Sequence, residues 1–513
     1  MGTGIYISML EGSGGVLWRY DLSTTTITRV TDPSIRIQFV YNPEVSVDVR
    51  QDEQRIAYVT ALPGREELWV SDIDGSNPLM ILSSTHGLIA PRWRGRDGSS
   101  IVYLSNQGGQ RDVWQVHVIT RTTAPLTSGP LREERVEVSA DGSVLVVDTA
   151  SEESHIWALD PRGREPRQLT NDSLSDYYAS VATDSVGLIF HRNRGERRLG
   201  FVHHDTRIYS STLNSLTTGG SSVPVADGFG GTISPDGSRV AFFQYSEEAP
   251  EHLWVSDTVP GRRPFRVATD VWVPPFSPVH WDWRWKAMTW SRDGSTIFYT
   301  TNREPRVTQI VATELGADTP LRTRVIARSA NRSLGREQTG FGDLHLSPDG
   351  RALAYIEGFR FSGQGGEVRS HDLTTGLERV LFEAPRGTNV FLKGWTTRGS
   401  LIVLKTVPDT RDRREVEVFE VHPDTGSELI GIMEGVRGGN SHFDAPRDLL
   451  YVAATERDRR NIAAFDLRER RLRTITQNTF PGVSFFGFQA MANGVLVYTK
   501  HENSRDVWLV VSH

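Results

Sequence analysis

Arginines hold most of the chemical reach in this sequence. Arg65, Arg111, Arg198, Arg306, Arg414, Arg460 and Arg505 each stand in a short polar stretch ahead of an apolar run, several beside a second arginine (Arg197, Arg303, Arg413, Arg459). The tetrapeptide RDVW appears twice, at 111–114 and 505–508. A guanidinium presents a planar fork of donors that grips carboxylate, phosphate or sulfate at two points. Gathered round one opening, these side chains would form a cationic collar for an anionic partner. A plainer use is also open to them. Glu66, Asp112, Glu304, Glu415, Asp458 and Asp506 lie close by in sequence, and exposed arginine–carboxylate pairs are common and contribute little.

Two further segments carry candidate groups. In VWVPPFSPVHWDWRWKAMTW, residues 271–290, the spacing of Trp281, Trp283 and Trp285 places all three on one face of an extended strand. Exposed, they would be a stacking platform for sugar rings or a peptide; buried, they would fill a gap between packed sheets. In FVHHDTRIY, residues 201–209, His203 and His204 are the candidate catalytic groups, since an imidazole can move a proton near neutral pH. Neighbours on a strand point to opposite faces, so the two histidines do not converge on one metal. No HExxH, His-x-His or calcium-loop spacing occurs, and no metal or cofactor is expected. No GxSxG elbow, P-loop or dinucleotide fingerprint is present either.

What would position these groups is a repeat. SPDGSRVAFF at 234–243 returns as SPDGRALAYI at 347–356, SRDGSTIFY at 291–299 and SADGSVLVV at 139–147. Weaker copies of the turn precede IAYVT, LIFHR, LIVLK, LLYVA and VLVYT. Later in each unit comes a second strand type, as in LWVSDIDG, IWALDPRG and LWVSDTVP, followed by a short closing strand such as FRVAT or PRQLT. Successive turns lie roughly 44 to 57 residues apart, the length of a four-stranded propeller blade with variable loops. Strands of about five residues bounded by Gly, Asp, Asn and Pro, with almost no helical periodicity, predict an all-β chain.

The run SPDGSRVAFF, LWVSD, FRVATD resembles the PD40, or TolB-like, branch of WD40-like β-propellers. The same unit occurs in propellers of prolyl-oligopeptidase-type and tricorn-like peptidases and of some polysaccharide lyases. The resemblance implies four-stranded antiparallel blades, about eleven of them, along the whole chain. Eleven exceeds the usual 4 to 8 blades per ring. Two propellers are therefore expected, divided near 1–228 and 229–513, with one unusually large ring as the alternative. The two chain ends supply about six strands, so closure is expected to be irregular or to leave three-stranded blades. The resemblance also places the Asp-Gly turns on one face and the arginine-bearing hairpins on the opposite, ligand-binding face.

Bulk properties narrow the function. A net charge of −6 argues against a dedicated nucleic-acid binder, and the absence of cysteine removes disulfides and thiolate chemistry. No apolar run is long enough to cross a membrane as a helix. The start, MGTGIYISMLEGSGG, lacks a basic and apolar leader, which leaves a cytoplasmic protein or an exported one with its signal removed. The expected function is a non-catalytic scaffold presenting hairpin loops to a protein, peptide or anionic glycan. The alternatives are a propeller lyase or hydrolase acting on an acidic polysaccharide, and an accessory propeller for a separate catalytic subunit.

Overall fold

The computed structural model describes residues 4–11, 14–30, 47–52, 54–62, 65–95, 97–108, 111–128, 132–160, 165–171, 174–183, 186–193, 206–244, 252–259, 261, 263–269, 271, 287–304, 307–330, 341–358, 366–406 and 415–511. Nearly all of them lie in antiparallel strands and their turns, as the sequence predicted; the described helices are the short Leu213–Thr217 and a 3₁₀ turn at Ala445–Arg447.

The repeated turn explains itself atom by atom. Ser234 Oγ donates to Asp236 Oδ1 at 2.5 Å, the Ser238 N–H donates to the same carboxylate, and Ser234 Oγ accepts the Arg239 N–H at 2.9 Å. Gly237 takes a φ of 76° to bring the chain round, a conformation that penalises any side chain. The same bonds recur at 139–144, 291–296 and 347–352. Serine, aspartate and glycine are thus fixed by turn geometry, while the apolar residues that follow are fixed by burial.

The described residues fall into two compact units. One comprises the residues up to Glu152 together with the strand residues from Asn503; the other lies between Glu153 and Glu502. Among the described residues, contacts divide the chain at 152/153 and 502/503.

The larger unit is a ring of seven sheets. Six are consecutive four-stranded blades whose first strands are Asp176–Val181, Phe229–Ile233, Met288–Trp290, Phe341–Leu346, Asn389–Trp395 and Val436–Asp444. We number these blades 1 to 6. Blade 7 closes the ring from two distant stretches of chain. Val483–Ala490 pairs with Leu496–Val511, which lies beside Val144–Leu159, which pairs in turn with Arg167–Gln168. Within this unit Ser154 Oγ meets His501 Nδ1 at 2.8 Å and the Lys500 ammonium sits 4.7 Å from the Trp157 ring centre. Each seam has its own apolar core. Phe298, Ile310 and Ala312 of blade 3 meet Phe341, Leu353 and Tyr355 of blade 4. Ile156, Met491 and Val497 of blade 7 meet Ala179, Leu188 and Phe190 of blade 1.

Closure is irregular, as expected, but two of its strands are not the ones the sequence suggests. VLVVD and IWALD read as two strands of one blade joined by a hairpin, as did VLVYT and DVWLV. Each pair is instead one continuous 16-residue strand, Val144–Leu159 and Leu496–Val511. Neither linking stretch contains Gly or Pro, although Asn503 and Ser504 are turn-forming types. Among the described residues, the chain passes from one unit to the other within these two strands.

The smaller unit stacks a three-stranded sheet (Gly4–Glu11, Gly14–Asp21, Ile27–Arg29), two four-stranded blades beginning at Val47–Val49 and Ile89–Arg94, and the paired strands Arg132–Val138 and Val144–Leu159. Its seams are filled by Leu17, Val47 and Tyr58, then Leu68, Trp93 and Tyr103, then Val102, Val113 and Val136.

Two stability predictions follow from these contacts. The turn carboxylates of Asp141, Asp293 and Asp349 are held low by the hydroxyls of Ser139, Ser291 and Ser347 and by neighbouring backbone N–H groups, Asp141 at about 2. A carboxyl depressed in the folded state gives stability that is complete above its unfolded value and is lost as pH falls through the folded one. The urea midpoint should therefore drop between pH 4 and pH 2, and Asp141→Asn should blunt that drop. At the seam of blades 1 and 2, His191 Nε2 accepts the Gly231 N–H at 2.9 Å while Nδ1 donates to the Tyr178 carbonyl at 3.0 Å. His191→Leu strands both backbone groups in a buried seam and should cost about 2–4 kcal/mol in equilibrium unfolding.

Candidate functional site

The candidate site is the hairpin face, and the innermost strands position it. In blade after blade the first strand slips register against the second at the same level. The breaks fall between Tyr177 and Ser180, Phe229 and Thr232, Gly342 and His345, Leu392 and Gly394, and Phe486 and Gln489. The smaller unit does the same between Ile89 and Arg92. These are β-bulges, which insert an extra residue and re-aim the side chains beside it. Tyr178, Gly230, Asp343, Gly394 and Gly487 carry positive φ there, and so does Ala90. Only the glycines adopt that conformation cheaply; for Tyr178, Asp343 and Ala90 the surrounding contacts must hold it.

Those contacts run from blade to blade. Asp343 Oδ2 accepts the Leu392 N–H at 3.1 Å, and His345 Nε2 donates to the Leu392 carbonyl at 3.2 Å. Asn440 Nδ2 donates to the Phe485 carbonyl, and the Tyr178 N–H donates to Thr499 Oγ1. Trp290 and Trp395 each donate an indole N–H to a backbone carbonyl on the preceding blade. In the smaller unit Asp48 accepts the Trp93 N–H at 2.7 Å. Close approach is part of the design: a Cβ on Gly231 would sit 3.0 Å from Ile189 Cδ1 and 3.2 Å from His191 Nε2.

Of the seven arginines first named for the collar, three, Arg65, Arg111 and Arg460, are described with their side chains. Arg111 is 4% exposed and reaches from its hairpin to Glu134 on the next blade, 2.9 Å from Nη1 to Oε2. It pairs across the seam rather than with its sequence neighbour Asp112. Arg460 makes the corresponding reach in the ring, from the hairpin of blade 6 to Ser484 Oγ on the inner strand of blade 7, at 2.5 Å. The neighbouring cations of this face pair with carboxylates: Arg65 with Glu67, Arg207 with Asp227, and Arg192 with the fully buried Asp176. Arg505 stands within the continuous strand Leu496–Val511, not on a hairpin, which corrects the sequence reading. Arg198, Arg306, Arg414, Trp281, Trp283, Trp285, His203 and His204 lie outside the described residues.

Sequence reasoning passed over a carboxyl pair beside Arg111. Asp112 on one blade and Glu133 on the next lie close enough for each to shift the other's titration, and both are buried. Asp112 Oδ1 and Glu133 Oε2 are buried with no hydrogen-bond partner among the described residues. Burial pushes the Glu133 carboxyl up to about 7, with the nearby Asp112 charge adding to the shift and a Thr127 hydrogen bond opposing it. Asp112 is also raised, again chiefly by burial. The pair can hold one proton between them at neutral pH. The only sequence signal was Asp112 within RDVW; Glu133 sits in LREERVEV, which carries no motif. A second pair, Ser154 and His501, has the residue types of a nucleophile and base. Ser154 is 0% exposed, so its hydroxyl braces the closing blade and no substrate can reach it.

The carboxyl pair gives a signed prediction. A carboxyl whose folded value is raised binds its proton in the folded state after the unfolded chain has released it. Stability therefore falls as pH rises from about 4.5 to about 7 and levels off above. Glu133→Gln should flatten the dependence of the urea midpoint on pH across that window and be more stable than the parent at pH 8.

No family model matches the chain. Part of it is similar to Tol-Pal system protein TolB from Anaeromyxobacter dehalogenans, 34% identical over 125 residues, which is 24% of this chain and 28% of that protein. TolB from Bordetella avium is 38% identical over 74 residues, 14% of this chain and 17% of that protein. The match thus spans less than a third of the length of these relatives. Among solved structures, TolB from Acinetobacter baumannii superposes with a TM-score of 0.24 at 20% identity, over 60% of this chain and 76% of that one. A Mycobacterium tuberculosis puromycin-hydrolyzing peptidase gives 0.43 at 11% identity, over 72% and 57%. These superpositions are loose and carry no functional argument. Over the matched residues the sequence is similar to TolB, and the recurring four-stranded antiparallel sheets are those of propeller blades.

Proposed function

We propose that the protein is a non-catalytic propeller scaffold whose ring presents its hairpin face to a protein or peptide partner. One observation carries this reading: the bulged inner strands form a constant, cross-stapled ring, while the hairpins they carry differ in length and sequence from blade to blade. A rigid support under variable loops is the arrangement that binding sites use. Local similarity to TolB, a protein of the Tol-Pal system, supports it. Arg460 is the described cation of this face that engages a hydroxyl rather than a carboxylate, so its remaining donors suit an acidic group of the partner. Trp281, Trp283, Trp285, Arg198, Arg306 and Arg414 are the further contact residues this reading proposes.

The competing reading is a lyase or hydrolase acting on an acidic polysaccharide, with His203 or His204 moving the proton. A titration of acidic peptides against oligogalacturonates separates the two. The scaffold reading expects saturable peptide binding that Arg460→Ala and Trp283→Ala each weaken about tenfold. It also expects no growth of ultraviolet absorbance from an unsaturated uronate product. Turnover that is lost in His203→Ala or His204→Ala would establish the enzyme instead.

A further inference from the structure

Among the described residues one aromatic side chain is exposed, and it stands beside the hairpin of blade 6. Phe480 is 69% exposed, and its neighbours Thr479 and Pro481 are exposed too. It lies in the loop of residues 475–482, between the outer strand of blade 6, Arg471–Thr474, and the inner strand of blade 7, Val483–Ala490. Asn478 fixes that loop. Its Nδ2 donates to the Arg460 carbonyl at 3.1 Å and to the Phe480 carbonyl at 2.8 Å, while its Oδ1 accepts the Phe480 N–H at 3.1 Å. The Asn478 N–H donates to Asn461 Oδ1 at 2.6 Å, and Thr476 Oγ1 accepts the Ile462 N–H at 2.8 Å. The loop is thereby tied to the third strand of blade 6, Arg459–Asp466, and one amide joins Phe480 to the hairpin residue Arg460.

A scattered exposed apolar residue is ordinary. A phenyl ring left in water on a backbone held by this many side-chain bonds is preorganised, and the ordering cost of binding there is already met. The hairpin beside it follows the same pattern. Glu456 and Arg459 face each other across a two-residue turn, whose residues Arg457 and Asp458 have φ of 47° and 67°. Glycine and asparagine fill such turns cheaply; here the chain displays two charged side chains at a cost in backbone strain. Residues 455–459 are all exposed. Neither the Arg457 nor the Arg459 guanidinium makes an ion pair or hydrogen bond among the described residues. With Arg460 they outnumber the carboxylates of Glu456 and Asp458.

A ring this exposed projects from the surface and cannot enclose a small ligand, which needs a concave site. A protein segment can close over it, and aromatic and arginine side chains are the types that carry most of the energy of protein interfaces. We propose that Phe480 is the anchor of a protein-binding surface, and that the partner meets it with an acidic segment. Apolar side chains of that segment cover the Phe480 ring, and its carboxylates pair with Arg457 and Arg459. The excess of guanidinium over carboxylate groups at the hairpin sets the sign of the partner. This inference rests on the hairpin-face reading above and adds to it the residue that carries the contact and the chemistry of the segment that meets it.

The test uses the full chain and a fluorescent decapeptide of Asp and Glu with a central Leu-Trp pair, followed by anisotropy. Two comparison peptides accompany it, one with Ser-Ser for the Leu-Trp pair and one with Lys for the acidic residues. The proposal expects saturable binding of the Leu-Trp peptide and binding about tenfold weaker by each comparison peptide. Phe480→Ala should cost about tenfold with the circular dichroism spectrum unchanged, and Phe480→Tyr should keep the parent affinity. The double variant Arg457→Glu, Arg459→Glu should lose the acidic peptide and gain the Lys peptide. Binding that Arg460→Ala weakens and Phe480→Ala leaves unchanged would overturn the anchor while the hairpin-face scaffold stands. Equal affinity for the Ser-Ser peptide would reduce the contact to charge attraction and likewise overturn the anchor. No binding of either acidic peptide would overturn both readings. A thymidine oligonucleotide that displaces the peptide, and whose own binding is lost in Phe480→Ala, would assign the ring to base stacking and overturn the protein partner.

Discussion

Each blade of the larger unit has two apolar faces and is stable only between two neighbours. That constraint makes closure the condition for everything else in the ring. Blades 1 and 6 would each leave one side open without blade 7, and the residues of that blade come from sequence positions more than 300 apart, such as Ser154 and His501. Bringing such distant stretches together carries a loop-closure cost and slows folding, but it converts a stack with two exposed ends into one with none. Burial explains the closure; the hydrogen bonds at Ser154–His501 and Tyr178–Thr499 fix its register.

Polar groups inside the ring follow from the same constraint. A bulge in an inner strand leaves backbone N–H and C=O groups without ladder partners, and burying them unpaired is expensive. His191, Asp343, His345 and Asn440 answer that need from an adjacent blade or strand. They look like site residues by type, yet each is used up by a neighbour's backbone. The Asp112–Glu133 pair is different, since each carboxyl retains an oxygen with no partner. It sits where two blades of the smaller unit meet, and burial there favours the protonated form of Glu133.

The sequence made the repeat legible because turn chemistry is local. Asp236, Gly237 and their equivalents announce themselves within five residues, and the apolar run after each turn is required by burial. The bulges stayed hidden because a positive φ at Tyr178 or Asp343 is imposed by contacts with the next blade and leaves no mark on the residue type. The long strands were misread for the opposite reason. The repeat template supplied a hairpin at 149–154 and at 500–505, where the chain instead runs on as strand. Arg111 was found but its partner was not, because Glu134 is distant in sequence and adjacent only after two blades pack. The tryptophan and histidine segments of the proposed site lie outside the described residues, so their placement rests on the sequence alone.

Blade 7 has one more consequence. The larger unit begins at Glu153 and ends at Glu502, and the two strands that carry those residues are neighbours in a single sheet. A module whose first and last residues emerge side by side can be spliced into a host chain without stretching it, much as a loop can.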